Sequence, residues 1–277
     1  MAITTSDKRA EFRRLHQAGC FVIPNPWDVG SARYLQSLGF KALASTSSGL
    51  AWSTGRPDNA VKLEDVLAHL ATLAAATDLP LNADFEGGYA RDPAGVAANV
   101  ARAVAAGIAG LSIEDSTGDK EAPLYELPHA VERIRAARAA IDRVDPTVVL
   151  VGRAEGFLVG RTDVGDAIAR LVAYAEAGAD CLYAPGLRTA DEISAVVKAV
   201  APKPVNVLVG GPTFTVAELA ALGVRRISVG GAMARTAWGA FMRVAQDIAA
   251  TGSFAGFASA APFAEINRFF ADDLRRR

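Results

Sequence analysis

The chain has 277 residues, which suits one α/β domain of about 250 residues or two small ones. Apolar residues make up 51% of it, enough for a sizeable core, and the formal net charge of −1 excludes a broad basic field for nucleic acid or anionic lipid. No uninterrupted apolar stretch approaches the roughly 20 residues of a membrane span, and the polar opening from Met1 to Arg14 has no apolar signal core.

In chain order, a strand expected near Phe21–Pro24 leads to a helical segment Gly30–Leu38, and Ala42–Ser45 leads to Leu63–Thr77. Leu81–Asp84 is followed by Pro93–Ala106, Gly110–Glu114 by Pro128–Ile141, and Val148–Arg153 by Val164–Ala177. Cys181–Ala184 is followed by Ala190–Val200, Val205–Leu208 by Val216–Leu222, and Arg226–Val229 by Ala234–Thr251. Four of the helical patterns run into Gly39, Gly107, Gly178 and Gly223, each placed to take the left-handed conformation that closes a helix. The strands that follow are apolar on both faces, as in a parallel sheet covered by helices. Eight βα units with right-handed crossovers predict a single (β/α)₈ barrel over residues 1–277. An extra C-terminal helix, Pro262–Leu274, carries Phe263, Ile266, Phe269 and Phe270 at helical spacing. Its apolar face packs either on its own barrel or on a neighbouring subunit. The longest loop-like regions, Ser47–Val61 and Asp115–Leu127, follow strand C-termini, where barrel enzymes place their sites. The terminal Arg275-Arg276-Arg277 reads as a solvated tail.

The polar residues collect at strand ends. Strand one ends at Asn25 with Asp28 behind it, and strand two runs into Ser45-Thr46-Ser47-Ser48-Gly49. Strand three ends in Asp84-Phe85-Glu86, strand four in Glu114-Asp115 and strand five in Arg153-Ala154-Glu155, while Asn206 lies in strand seven. Carboxylates leaving adjacent strands at one end repel unless a counter-charge intervenes. Asp84, Glu86 and Glu114 offer oxygen without nearby His or Cys, a donor set for Mg²⁺, or Mn²⁺, rather than zinc. His16, His69 and His129 fall in helical stretches or at a helix start and read as surface or packing residues, which argues against Ser-His-Asp chemistry. Every lysine misses the strand C-termini where a Schiff-base aldolase needs one. Gly210-Gly211 and Gly230-Gly231 follow strands seven and eight and read equally as a phosphate site or as tight turns. Cys20 and Cys181 lie at or within apolar runs expected to be buried strands; no disulfide framework is visible, and a cytoplasmic location is expected.

These residues resemble the isocitrate lyase / phosphoenolpyruvate mutase superfamily. The likeness runs from about Phe21 to Gly231 through Pro24-Asn25-Pro26-Trp27-Asp28, Ser31-Ala32-Arg33, Ser48-Gly49-Leu50, Asp58, Asp84-Phe85-Glu86-Gly87-Gly88-Tyr89, Glu114-Asp115 and Arg153. It implies a metal-dependent barrel acting on small 2-oxo or 2-hydroxy carboxylates through an enolate. By position, Asp84 resembles the direct metal ligand, and Glu86 and Glu114 resemble acids reaching the metal at one remove. Ser48 with the amides of Gly49 and Leu50 resembles the pocket for the substrate's carboxylate or phosphonate. Arg153 resembles the cation beside the enolate, and Asp58 a residue on a mobile loop. A homo-oligomer, tetramer or dimer, with an exchanged C-terminal helix is also implied. Two departures narrow the activity. The lyases' Lys-x-Cys-Gly-His loop is replaced by Asp115-Ser116-Thr117-Gly118-Asp119-Lys120, without Cys or His, and Pro185 stands where the mutase has a His. The leading expectation is a Mg²⁺-dependent lyase cleaving a C–C bond of a small dicarboxylate, with decarboxylation of an oxaloacetate-like acid as its simplest form. The alternatives are C–P chemistry on a phosphonopyruvate-like acid and a non-catalytic barrel that binds a 2-oxo acid.

Overall fold

The computed structural model describes residues 3–276; Arg277 of the terminal arginine run and the first two residues lie outside it. The chain forms two compact units, one extending to Gly231 and one beginning at Ala232. The first holds α1 (Thr5–Leu15), β1 (Phe21–Ile23), α2 (Val29–Ser37), β2 (Leu43–Ala44), α3 (Ser47–Ser53), α4 (Leu63–Ala76) and β3 (Leu81–Asp84). It continues through α5 (Pro93–Ala105), β4 (Gly110–Glu114), α6 (Leu127–Val144), β5 (Val149–Arg153), α7 (Val164–Glu176), β6 (Cys181–Tyr183), α8 (Ala190–Val200), β7 (Val205–Leu208), α9 (Val216–Ala221) and β8 (Arg226–Ser228). The second holds α10 (Ala232–Thr251) and α11 (Phe263–Arg275), joined through a 3₁₀ segment at Ala255–Ser259.

All eight strands are parallel, in the order β1-β8-β7-β6-β5-β4-β3-β2. The β1 edge meets the β2 edge through a backbone bond from Ala44 N to Pro24 O of 3.0 Å, so the sheet curls into a nearly closed barrel. The expected alternation of strands and helices therefore holds. Its punctuation is chemical. Asp28, Asp92, Asp163, Thr189 and Thr215 cap helix N-termini with side-chain oxygens. Gly39, Gly107, Gly178 and Gly223 take φ between +84° and +104° just past helix ends, as their position in the sequence required.

Two elements depart from the expected pattern. The polar N-terminal segment is the helix α1, opened by a capping box between Thr4 and Asp7. Its buried Phe12 closes the bottom of the barrel, so near Gly110 that a Cβ there would stand 2.6 Å from the Phe12 ring. His16 ends this helix and packs edge-on against Phe12 and Phe21. Its Nδ1–H donates to Phe12 O at 2.7 Å, and burial pushes its pKa down to about 3, so the ring is a neutral packing group. The second departure is α3, which occupies the start of the segment expected to be loop. Thr46 caps it, and its apolar residues Leu50 and Ala51 are buried. Lys8 and Lys203 bond carbonyls at the ends of α4 and α7, away from the strand C-termini. Cys181 is buried within β6, whereas Cys20 precedes β1 and is only partly buried; both thiols are free.

In the second unit α10 and α11 leave large apolar side chains exposed: Trp238, Phe241 and Met242 on the first, Phe263, Ile266, Phe270 and Leu274 on the second. No helix among the described residues is long and apolar enough to cross a membrane.

Candidate active site

The C-terminal ends of β3, β4 and β5 carry Asp84, Glu114 and Arg153 in adjacent registers, Asp84 opposite Ser112 and Glu114 opposite Arg153. Arg153 gathers the acids. Its Nη1 donates to Asp84 Oδ1 at 3.1 Å and lies 3.2 Å from Glu114 Oε2, and its Nε donates to Glu155 Oε1 at 2.5 Å. The guanidinium also lies over the Tyr183 ring, 5.2 Å from its centroid. Asp84 is held twice more: Ser47 N donates to its Oδ2 at 3.0 Å, and its own amide donates to Ser45 Oγ at 2.9 Å.

Glu86 sits on the turn after β3 at φ +46°, with Tyr89 at φ +55°, two non-glycine residues in the left-handed region. Tyr89 donates its hydroxyl to Glu86 Oε1 at 2.9 Å. Arg133, nearly fully buried, pins this turn from below through Gly87 O and through Ala90 O at 3.0 Å, with its guanidinium stacked 4.1 Å from the Tyr125 centroid.

The electrostatics follow from this crowding. Burial raises Glu114 and Glu155, and neighbouring carboxylates add to the rise while Arg153 opposes it. Glu86 is pushed up to about 7 by burial, with Asp84 and Asp58 contributing. Asp58 rises for the same two reasons, burial and then Asp84. Arg153 itself is held well above the usual guanidinium value by Glu155 and Glu114, against the effect of burial. More acid than base is therefore held at this mouth, and a hard divalent cation would relieve that excess. The oxygen-only donors fit Mg²⁺ in chemistry. In geometry, of the three acids expected to converge, Asp84 and Glu114 meet at Arg153, whereas Glu86 is bonded to Tyr89; among the described residues no three His, Cys, Asp or Glu side chains form a ready metal cage. The reason is that Arg153 already answers the charge of Asp84 and Glu114.

A cavity of about 140 Å³ opens beside this cluster, lined by Asp84, Arg153, Asp58, the hydroxyls of Ser45, Ser47, Ser48 and Ser228, and, deeper, by Tyr183, Asn82 and Arg226. No histidine lines it. Ser48 lines this cavity. The amides of Gly49 and Leu50 do not line the cavity: they donate to Thr46 Oγ1 at 3.3 Å and Thr46 O at 3.1 Å, because they form the capped first turn of α3. Asn206 is fully buried below the cavity, bonded to Ser228 and Arg226 rather than to the open space. Of the glycine pairs, Gly230 reads as a turn, since its amide and that of Val229 both donate to Asn25 Oδ1 at 2.9 and 3.0 Å. Gly231 permits close approach, because a Cβ there would meet Ser48 Oγ at 2.6 Å and the Trp52 ring at 3.2 Å. A second, larger hollow of about 550 Å³ lies between the Glu86 turn and the loop after β4, and Glu86, Glu114, Ser116 and Arg133 line it.

Sequence reasoning passed over the residue that braces the cluster. Asp115, almost fully buried, accepts from Glu155 N at 2.8 Å, Tyr174 Oη at 2.6 Å and Arg170 Nη1 at 3.1 Å. It thereby locks the end of β4 to the end of β5 and sets where Glu155 meets Arg153. Arg226 was passed over as well, and its signal was visible: an arginine at the head of an apolar strand inside a buried sheet.

The family model described as phosphoenolpyruvate phosphomutase matches residues 12–249. A crystal structure of a provisionally assigned lyase/mutase from Burkholderia cenocepacia J2315 superposes with a TM-score of 0.94 at 49% identity, covering 96% of this chain and 97% of that one. An oxaloacetate decarboxylase of Rhodopseudomonas palustris (strain HaA2) is 30% identical over 80% of this chain and 77% of its own. The structure of a phosphonopyruvate hydrolase complexed with oxalate and Mg²⁺ matches with a TM-score of 0.84 at 28% identity, over 97% and 96% of the two chains.

Proposed function

The chain belongs to the phosphoenolpyruvate phosphomutase family, and within it we propose a Mg²⁺-dependent carbon–carbon lyase that cleaves a small 2-oxo or 2-hydroxy dicarboxylate through an enolate. Decarboxylation of an oxaloacetate-like acid is the simplest form. The observation that carries this reading is the placement of Arg153 among Asp84, Glu114 and Glu155 at the mouth of a small hydroxyl-lined cavity. The segment after β4, where relatives of the isocitrate lyase type carry a thiol, has neither Cys nor His. An oxaloacetate decarboxylase among the relatives supports the same substrate class.

Asp84 would hold the metal, with Glu86, Glu114 and Asp58 as the acids around it; Mn²⁺ meets the same donor set. Mg²⁺, when bound, supplies Lewis-acid polarisation of the substrate's carbonyl. This chain's residues do the rest. Ser48, on the cavity wall, would donate its hydroxyl to the substrate's carboxylate. Arg153, kept charged by its acids, faces the oxygen on which negative charge grows as the bond to C3 breaks, where a preorganised cation contributes most. In decarboxylation that bond's electron pair passes into the enolate as CO₂ departs, and a proton then returns to C3. Glu155 orients the guanidinium through its Nε, and Asp115 fixes Glu155 through its amide.

The test is turnover. Purified protein with Mg²⁺ should release CO₂ from oxaloacetate, or split a homologous 2-oxo or 2-hydroxy dicarboxylate, and lose this activity with EDTA. The phosphonopyruvate hydrolase relative favours a second reading, C–P cleavage; release of inorganic phosphate from phosphonopyruvate, with every dicarboxylate inert, would replace the first reading with the second.

We also propose a homo-oligomer, dimer or tetramer, in which α11 packs on a neighbouring subunit, and a cytoplasmic location consistent with two free thiols. The exposed Phe263, Ile266 and Phe270 support the first point. Changing these three to Ser is expected to reduce the mass measured by light scattering to that of one chain. An unchanged mass would remove α11 from the interface.

A further inference from the structure

Arg226 is the first residue of β8, 2% exposed, and it points into the barrel beneath the cavity. Its Nε donates to Asn206 Oδ1 at 2.9 Å and its Nη1 to Asn82 Oδ1 at 3.2 Å. Both partners are neutral amides. Among the described residues no carboxylate forms an ion pair with it, whereas Arg153, the other guanidinium lining the cavity, is claimed by three acids. A buried charge without a counter-ion costs several kcal/mol, and an apolar residue of similar volume would be neutral or stabilising there. Packing therefore does not explain the arginine. Its orientation is built. Asn206 presents its oxygen to Arg226 because its own amide nitrogen is committed to Ser228 Oγ at 3.0 Å. The cavity is consequently bipolar: acids that want a cation lie at its mouth, and an uncompensated cation lies at its floor.

We propose that Arg226 is the specificity-determining anchor for the substrate's second carboxylate, the one distal to its 2-oxo or 2-hydroxy carbon, so that the site selects dianionic over monoanionic acids. This rests on the reading of the cavity as the substrate site. Asn206 is then a positioning residue for Arg226, which accounts for a buried amide that does not reach the cavity. Guanidinium geometry suits a carboxylate approached from above, with Ser228 alongside.

The experiment compares malate with lactate, 2-hydroxy acids that differ by the distal carboxylate, by calorimetry on the full chain with Mg²⁺. The unmodified protein should prefer malate by roughly 100-fold. In Arg226→Gln and Arg226→Met the preference should fall to within about threefold, while the melting temperature of Arg226→Met is unchanged or higher. Equal discrimination in the variants and the unmodified protein overturns the proposal, as does failure of the unmodified protein to distinguish the two acids. If neither variant folds, a structure of the unmodified protein with malate decides: a distal carboxylate away from the guanidinium overturns the assignment. The outcomes separate this inference from the reading beneath it. Collapsed discrimination without turnover of any candidate acid keeps Arg226 and removes the lyase. Metal-dependent turnover with intact discrimination in the variants does the reverse.

Discussion

Asp84→Ala is expected to lower kcat/KM for the metal-dependent reaction by on the order of 10³ or more, with the fold retained. Asp84 is the one acid tied at once to Arg153, to the amide of Ser47 and, through its own amide, to Ser45. Its carboxylate is therefore presented in a fixed position, as a direct metal ligand must be. The side chain is 20% exposed, so its removal creates no large cavity. Asp84→Asn sharpens the test, because it keeps the shape and one oxygen to accept from Arg153 while removing the charge and the acceptor of the Ser47 amide. If the metal role is correct, Asn should be nearly as damaging as Ala; if Asp84 only braces Arg153, Asn should retain most of the activity. Steady-state rates across a Mg²⁺ titration separate the two.

Arg153→Met is expected to destabilise the metal-free protein by about 3–5 kcal/mol, because it leaves buried carboxylates without their cation. Glu114 and Glu155 are about nine-tenths buried, and each lies within ion-pair distance of this one side chain. Urea denaturation in EDTA would measure the loss. Adding Mg²⁺ should restore part of it, since a cation bound only by the folded state stabilises that state. A loss that Mg²⁺ leaves untouched would count against metal binding by these acids. Activity should fall by on the order of 10³ with the metal present, because charge on the enolate then loses its preorganised partner. Arg153→Lys should recover stability better than activity: an ammonium supplies charge but cannot reach Asp84, Glu114 and Glu155 with a planar fork.

The α/β alternation was legible because its signals are local. Gly107 after α5 and Gly178 after α7 each close a helix by taking a conformation that other residues resist, and each is followed within a few residues by an apolar strand. Helix α1 was less legible. Its residues are mostly polar, and Phe12 and Leu15 declare a core-facing side only once the barrel supplies a bottom for them to close. Helix α3 was hidden for another reason: Ser, Thr and Gly are turn formers in isolation, and Thr46 turns them into a capped helix only because Leu50 and Ala51 find a core.

By itself, then, the sequence determined which residues end the strands, and so that the carboxylates of Asp84 and Glu114 would leave adjacent strands at one mouth, with Arg153 at the end of the next, because strand order follows from strict βα alternation. It also marked the missing thiol after β4. Tertiary structure alone decided how the charges are apportioned. Arg153 closes on three acids, Asp115 braces them through Arg170 and Tyr174, the amides of Gly49 and Leu50 are spent on a helix cap, and Arg226 lies beneath the cavity with only amides for partners. Several of those pairings join residues far apart in the chain, by 55 positions for Arg170 with Asp115 and 144 for Arg226 with Asn82. Composition and spacing carry no information about which of several nearby acids a guanidinium will reach, since that choice depends on side-chain distances of a few ångströms set by the closure of the barrel.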